Sequence, residues 1–146
     1  MLIPTKILVP TDFSEHSDRA FGQALDIAKD YNAKVFLLHV IHEALHLLDL
    51  TLPKETLLLI KDGAIPWARE ILQNRLGGFP KAKGVDVETN VRKGVPSEEI
   101  LKEGKEKGID LIVIASLGRS GIAKYLIGSV ARNVLKGSKC PVLLTK

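Results

Sequence analysis

The stretch Ala115-Ser-Leu-Gly118-Arg-Ser-Gly121, followed by Ile122 to Ile127 and then Gly128-Ser129, gathers glycines and hydroxyls into one short turn. Such glycines let backbone N–H groups approach a ligand closely. A helix opening at Gly128 and Ser129 presents unpaired N–H groups and the positive end of its dipole. Ser129 is placed there to cap the helix or to give its hydroxyl to a phosphate. The chemistry this spacing predicts is anion binding. The same residues also suit an unliganded loop, with Gly118 and Gly121 turning the chain and Ser129 only capping.

A second pattern, His42-Glu43-Ala-Leu-His46, matches H-E-x-x-H, which on a helix sets two imidazoles on one face as zinc ligands with the glutamate as general base. Here it directly follows an apolar run, lacks the extended downstream histidine pattern, and would need a further carboxylate such as Glu55 or Glu70 as third ligand. A zinc hydrolase is therefore the weakest reading. His39, inside that apolar run, reads as a core imidazole hydrogen-bonded to backbone.

The elements that must position the glycine-rich turn follow from hydrophobic period. Lys6–Pro10 and Lys34–Val40 are unbroken runs rich in Val, Ile and Leu, as in strands covered on both faces. Between them Ala20, Phe21, Ala24, Leu25, Ala28 and Tyr31 recur at helical spacing, with Asp12 and Ser14 as candidate caps and Asn32 as a breaker. Val85–Val91 alternates as a strand, Pro96 and Ser97 open a helix closed near Gly108, and Leu111–Ala115 is another buried strand. A last helix, Ser129–Lys136, and a last strand, Pro141–Thr145, complete the chain. Within 45–76, Leu57, Ile60, Ala64, Trp67, Ala68, Ile71 and Leu72 form a helical stripe that Gly63 and Pro66 interrupt, which predicts a kinked or split helix.

Five strands alternating with four helical segments predict an α/β fold with one doubly wound parallel sheet, because each parallel return needs a right-handed crossover. Periodicity does not determine strand order. In the common flavodoxin-like order 3-2-1-4-5, the ligand crevice lies between strands one and four, beyond their carboxyl ends. The residues there are Thr11-Asp12 and Ala115 to Gly121. Pro141 suits a strand at the rim of the sheet, an edge free to pair with a second copy.

The totals bound the function. The chain has 146 residues, 45% apolar and 26% charged, which predicts one domain over 1–146 with a single sizeable core. Lys and Arg number 21 against 17 Asp and Glu, but the charges interleave, as in Lys102 to Lys107, so a solvated face is expected rather than a nucleic-acid surface. The lone Cys140 has no partner for an intrachain disulfide and reads as a small buried residue. No signal-peptide pattern opens the chain and no apolar run approaches membrane-spanning length, so a cytoplasmic protein is expected.

Taken together, Val9-Pro-Thr-Asp12-Phe-Ser14-Glu-His-Ser17, Leu37-Leu-His39-Val40, Gly128-Ser-Val-Ala131 and Cys140-Pro-Val-Leu-Leu144 resemble the universal stress protein (UspA-like) family. The resemblance runs over nearly the whole chain and is weakest across 45–79. In the nucleotide-binding branch the signature is Gly, two residues, Gly, nine residues, Gly, then Ser or Thr. Gly118 and Gly128-Ser129 keep that spacing, while Ala115 replaces the first glycine and adds a methyl group where the family's backbone nears the ribose. The resemblance implies the adenine nucleotide alpha hydrolase-like variant of the fold and an ATP, ADP or AMP ligand. Thr11, Asp12 and Val40 would then contact the adenine side, and Ala115, Gly118, Gly128, Ser129 and Val130 would surround ribose and phosphates. It also implies a homodimer through the last strand.

Arg119 and Lys124 add charge nearby without support from the motif. Asp12 is the one carboxylate placed to help hold a Mg²⁺ accompanying the phosphates, and it doubles as a helix cap. No general base is set by motif near those phosphates, so the expectation is a stress-associated regulatory nucleotide binder without an established catalytic role. Slow ATP hydrolysis or autophosphorylation at a serine is the enzymatic activity left open. The rival is a nucleotide-independent interaction module, with Leu45, Leu47, Leu48, Leu50, Leu52 and Leu57 to Leu59 as a partner surface. Core cover for the sheet and a mobile flap over the ligand are the other readings of those leucines.

Overall fold

A computed structural model describes residues 2–42, 53–118 and 127–146, and for 56–62 the backbone alone. The strands are β1 (Lys6–Pro10), β2 (Lys34–His42), β3 (Val87–Gly94), β4 (Leu111–Ala115) and β5 (Val142–Thr145). The helices are α1 (Glu15–Tyr31), α2 (Lys54–Gly77), α3 (Pro96–Lys107) and α4 (Ser129–Gly137). All paired strands are parallel, in the order β3-β2-β1-β4-β5.

The unbroken apolar runs become strands whose alternate residues enter two different cores. Ile7, Val9, Val35, Leu37, Leu111 and Val113 face α1 and α2, where they meet Phe21, Ala24, Leu25, Ala68 and Leu72. Leu8, Phe36, Leu38, Ile112 and Ile114 face α3 and α4, where they meet Ile100, Ala131 and Val134. Burial on both faces is what selects residues apolar at every position rather than at every second one.

Local signals set the helix ends. Ser14 is the N-cap of α1, its side chain accepting from the Ser17 N–H, and Asn32 closes the helix in the left-handed region with φ 54°. Pro96 begins α3 and Gly108 ends it at φ 66°. Two expectations change. The stripe interrupted by Gly63 and Pro66 is not split but is one helix from Lys54 that runs through Pro66, anchored by buried Ala68 and Leu72, with Pro66 itself exposed. Strand β3 is displaced toward the C-terminus, because its ladder with β2 runs from Val35↔Val87 to His42↔Gly94 and the Val85 N–H is used in a turn, bonding the Ala82 carbonyl.

Candidate functional site

The winding direction reverses between β1 and β4: two crossovers lead outward to β3, and the next returns past β1 to β4. Chain leaving the carboxyl ends of these adjacent strands must part, and a cleft opens there. It encloses about 320 Å³. Its apolar walls include Pro10, Leu38, Val40, Ile100 and Ile114, and its polar atoms come from Thr11, Asp12, Ser17, Ser116, Ser129 and nearby backbone. A mostly apolar slot with a few convergent polar groups is the usual form of a small-molecule site.

The turn after β1 is fixed by its own side chains. Thr11 is buried, its N–H extends the ladder to the Leu38 carbonyl, and its Oγ1 accepts the Phe13 N–H. Asp12 Oδ1 accepts from the Ser14 N–H and from Ser17 Oγ, each at 3.0 Å. The Ser17 hydroxyl also lies 3.1 Å from Thr11 Oγ1.

Opposite stands the turn after β4. A Cβ placed on Gly118 would lie 2.8 Å from Asp12 Oδ2, so any larger residue here must displace the Asp12 carboxylate. A Cβ on Gly128 would meet the Ser116 carbonyl at 3.3 Å. Gly128, rather than Ser129, is the N-cap of α4; it makes no side-chain cap bond, and its N–H bonds the Ser116 carbonyl at 2.7 Å. Ser129 is the first helical residue and is exposed, its hydroxyl at the positive end of the helix.

All eight residues expected at the site, Thr11, Asp12, Val40, Ala115, Gly118, Gly128, Ser129 and Val130, line this one cleft. The Ala115 methyl packs with the core beneath α1 and α2, the side of Val9 and Val113 rather than that of Leu38 and Ile114. The replaced glycine therefore adds its methyl on the face away from the apolar wall. Arg119, Gly121 and Lys124 lie outside the described residues.

Sequence reasoning missed Leu38, Pro96, Ile100 and Ile114 as cleft residues. Leu38 was within reach, since it shares a strand face with Val40. Pro96 and Ile100 depend on how α3 packs, for which the sequence carries no local signal.

A search for family likeness matches the Universal stress protein family over residues 4–146. The chain belongs to the universal stress protein family. It is 35% identical to the universal stress protein YxiE of Bacillus subtilis over 146 residues, covering 97% of this chain and 98% of that one. Universal stress protein MJ0577 of Methanocaldococcus jannaschii is 34% identical over 158 residues, covering 97% of this chain and 94% of that one. The solved MJ0577 structure superposes with a TM-score of 0.84 at 32% identity, covering 99% and 97% of the two chains. A universal stress protein solved in complex with cAMP is 28% identical, with a TM-score of 0.70 over 99% of this chain and 98% of that one.

In this universal stress protein His42 closes β2 and is exposed, while Glu43 and His46 of the H-E-x-x-H pattern lie outside the described residues, as do residues 45–52 of the leucine-rich stretch. Glu55 and Glu70 are exposed on α2. Among the described residues no three His, Cys, Asp or Glu side chains are grouped to hold a metal ion. Cys140 is half-buried just before β5, with its N–H bonded to Ser138 Oγ. No described helix is long and apolar enough to cross a membrane.

Proposed function

We propose that this chain is a cytoplasmic, stress-associated regulatory protein that binds ATP or a related adenine nucleotide between β1 and β4. Thr11, Asp12 and Val40 take the purine side. Ala115, Gly118, Gly128, Ser129 and Val130 surround ribose and phosphates, and Asp12 is the carboxylate available to a Mg²⁺ that accompanies them. Catalysis is not part of this reading.

The observation that carries it is the convergence of distant segments, 11–12, 40, 115–118 and 128–130, on one cleft at the reversal of the sheet. The residues present suit the ligand. The apolar wall matches a purine face, the glycines at 118 and 128 admit close backbone approach, and the α4 N-terminus favours an anion. The related protein solved with cAMP supports an adenine nucleotide as the ligand class. Regulation is read through a homodimer formed along β5, which lies at the sheet edge with Leu143 exposed and with exposed Leu135 on the neighbouring α4.

Freshly purified protein, denatured and analysed by mass spectrometry, is expected to release an adenine nucleotide or to bind one when it is added. Nucleotide at ~100 times its Kd should stabilise the fold by about 2.7 kcal/mol. No change in melting with ATP, ADP or AMP would overturn the reading. Sedimentation in the presence and absence of nucleotide tests the dimer.

A further inference from the structure

Along β2 the side chains alternate, so Leu38 and Val40 wall the cleft while His39 lies on the reverse face with its register partner Val91, which is buried beneath α1 and α2. From there His39 reaches back to the turn that carries the site. Its Nδ1 lies 2.8 Å from the Thr11 carbonyl oxygen. A carbonyl only accepts, so Nδ1 carries the hydrogen and donates it.

The same ring stacks on Phe13, with centroids 4.2 Å apart and planes 24° from parallel. Phe13 has φ 66°, a conformation disfavoured for a residue with a Cβ, which persists when its surroundings over-determine it. The Arg75 guanidinium lies 5.7 Å from the centre of the Phe13 ring and also pairs with Asp18 at 2.6 Å. One chain of contacts thus runs from β2 through the turn to α2 and α1.

We infer that His39 is a positioning residue for the nucleotide site, holding the turn after β1 from the far side of the sheet. The inference rests on the functional reading above. The Thr11 carbonyl and the Asp12 N–H belong to one planar trans peptide and point in opposite directions. With the carbonyl held by His39, the Asp12 N–H is directed away from His39, toward the face bearing Leu38 and Val40. The Asp12 carboxylate is held at the same time by the Ser14 N–H and Ser17 Oγ. Without the His39 hydrogen bond this peptide is held only through its neighbours, and a ligand must complete its ordering on binding.

Two substitutions separate the hydrogen bond from the stacking. His39→Phe keeps a ring against Phe13 and removes the donor. His39→Asn places an amide N–H where Nδ1 stood. Calorimetric titration with AMP, corrected for the folded fraction, should show His39→Phe binding about tenfold more weakly than wild type and His39→Asn within about threefold. In ¹⁵N-labelled ligand-free protein the Asp12 amide resonance should move in His39→Phe and stay near its wild-type position in His39→Asn. Equal affinity in His39→Phe and wild type, or equal weakening in both variants, overturns the inference. Wild type that binds no nucleotide overturns the functional reading instead. The clamp is then decided by the Asp12 amide alone, and an unmoved resonance in His39→Phe refutes it.

Discussion

The two turns that meet at the cleft are held together in opposite ways. After β1, Thr11, Asp12, Phe13, Ser14 and Ser17 cross-link one another through side chains, and His39 secures them from behind. After β4, among the described residues, the bonds are mainly between backbone groups, Ser116 N–H to the Thr145 carbonyl at 2.8 Å and Gly128 N–H to the Ser116 carbonyl at 2.7 Å, with the Arg132 guanidinium of α4 donating to the Ile127 carbonyl at 3.2 Å. Side-chain wiring arranges polar groups before a ligand arrives. Bare backbone allows the closest approach, and Gly118 reaches Asp12 for that reason. A site made from one turn of each kind can be preorganised and close-fitting together.

The sharpest way to break this contrast is Gly118→Val. The ligand-free protein should remain folded while the nucleotide-dependent stabilisation of about 2.7 kcal/mol disappears, a loss of roughly 5–10 °C in the melting shift for a domain of this size. Thermal unfolding followed by circular dichroism, with and without AMP, measures it. A surviving shift means that the two turns do not share a ligand.

Next in size is Ser17→Ala on the wired side. It removes a buried hydroxyl that lies 3.0 Å from Asp12 Oδ1 and 2.9 Å from the Ser14 carbonyl. Stability in urea should fall by about 1–2 kcal/mol even without nucleotide. An unchanged midpoint would show that the wiring adds nothing before binding.

Asp110, at the opposite end of the sheet, separates stability from the site. Burial acts to raise its pKa, but the Thr5 hydroxyl and the N–H groups of Lys6 and Thr5 outweigh burial and hold it below the ordinary value of 3.8. A carboxylate with a lowered folded-state pKa stabilises the fold fully above its unfolded pKa, and that contribution is lost as pH falls through the folded value. Asp110→Asn should therefore cost about 1 kcal/mol at pH 7 and flatten the loss of stability below pH ~4. Nucleotide affinity should stay as in wild type, and a parallel drop would mean that the cleft responds to the whole sheet.

The smallest effect is expected for Ala115→Gly. Because the methyl packs beneath α1 and α2, restoring the family glycine should change the Kd by less than about threefold while lowering stability by up to ~1 kcal/mol through added chain entropy. A large gain in affinity would place the methyl against the ribose after all.

Most of the element pattern was legible because its causes are local. Ser14, Asn32, Pro96 and Gly108 mark helix ends through bonds and dihedral angles within a few residues of themselves. Strands β1 and β4 have the bounds read from their apolar runs. The misread parts depended on partners. The length of β3 follows β2, and the continuity of α2 through Pro66 is accompanied by the burial of Ala68 and Leu72.

For the site, the sequence by itself determined the residue types, their spacing and the family, and so the expected contact residues. Only the tertiary structure decided that β4 lies beside β1, that the Ala115 methyl turns toward α1, and that His39 stands behind Thr11. Caps and periods arise from neighbours in the chain, whereas strand order and the choice of face depend on how distant segments are buried together.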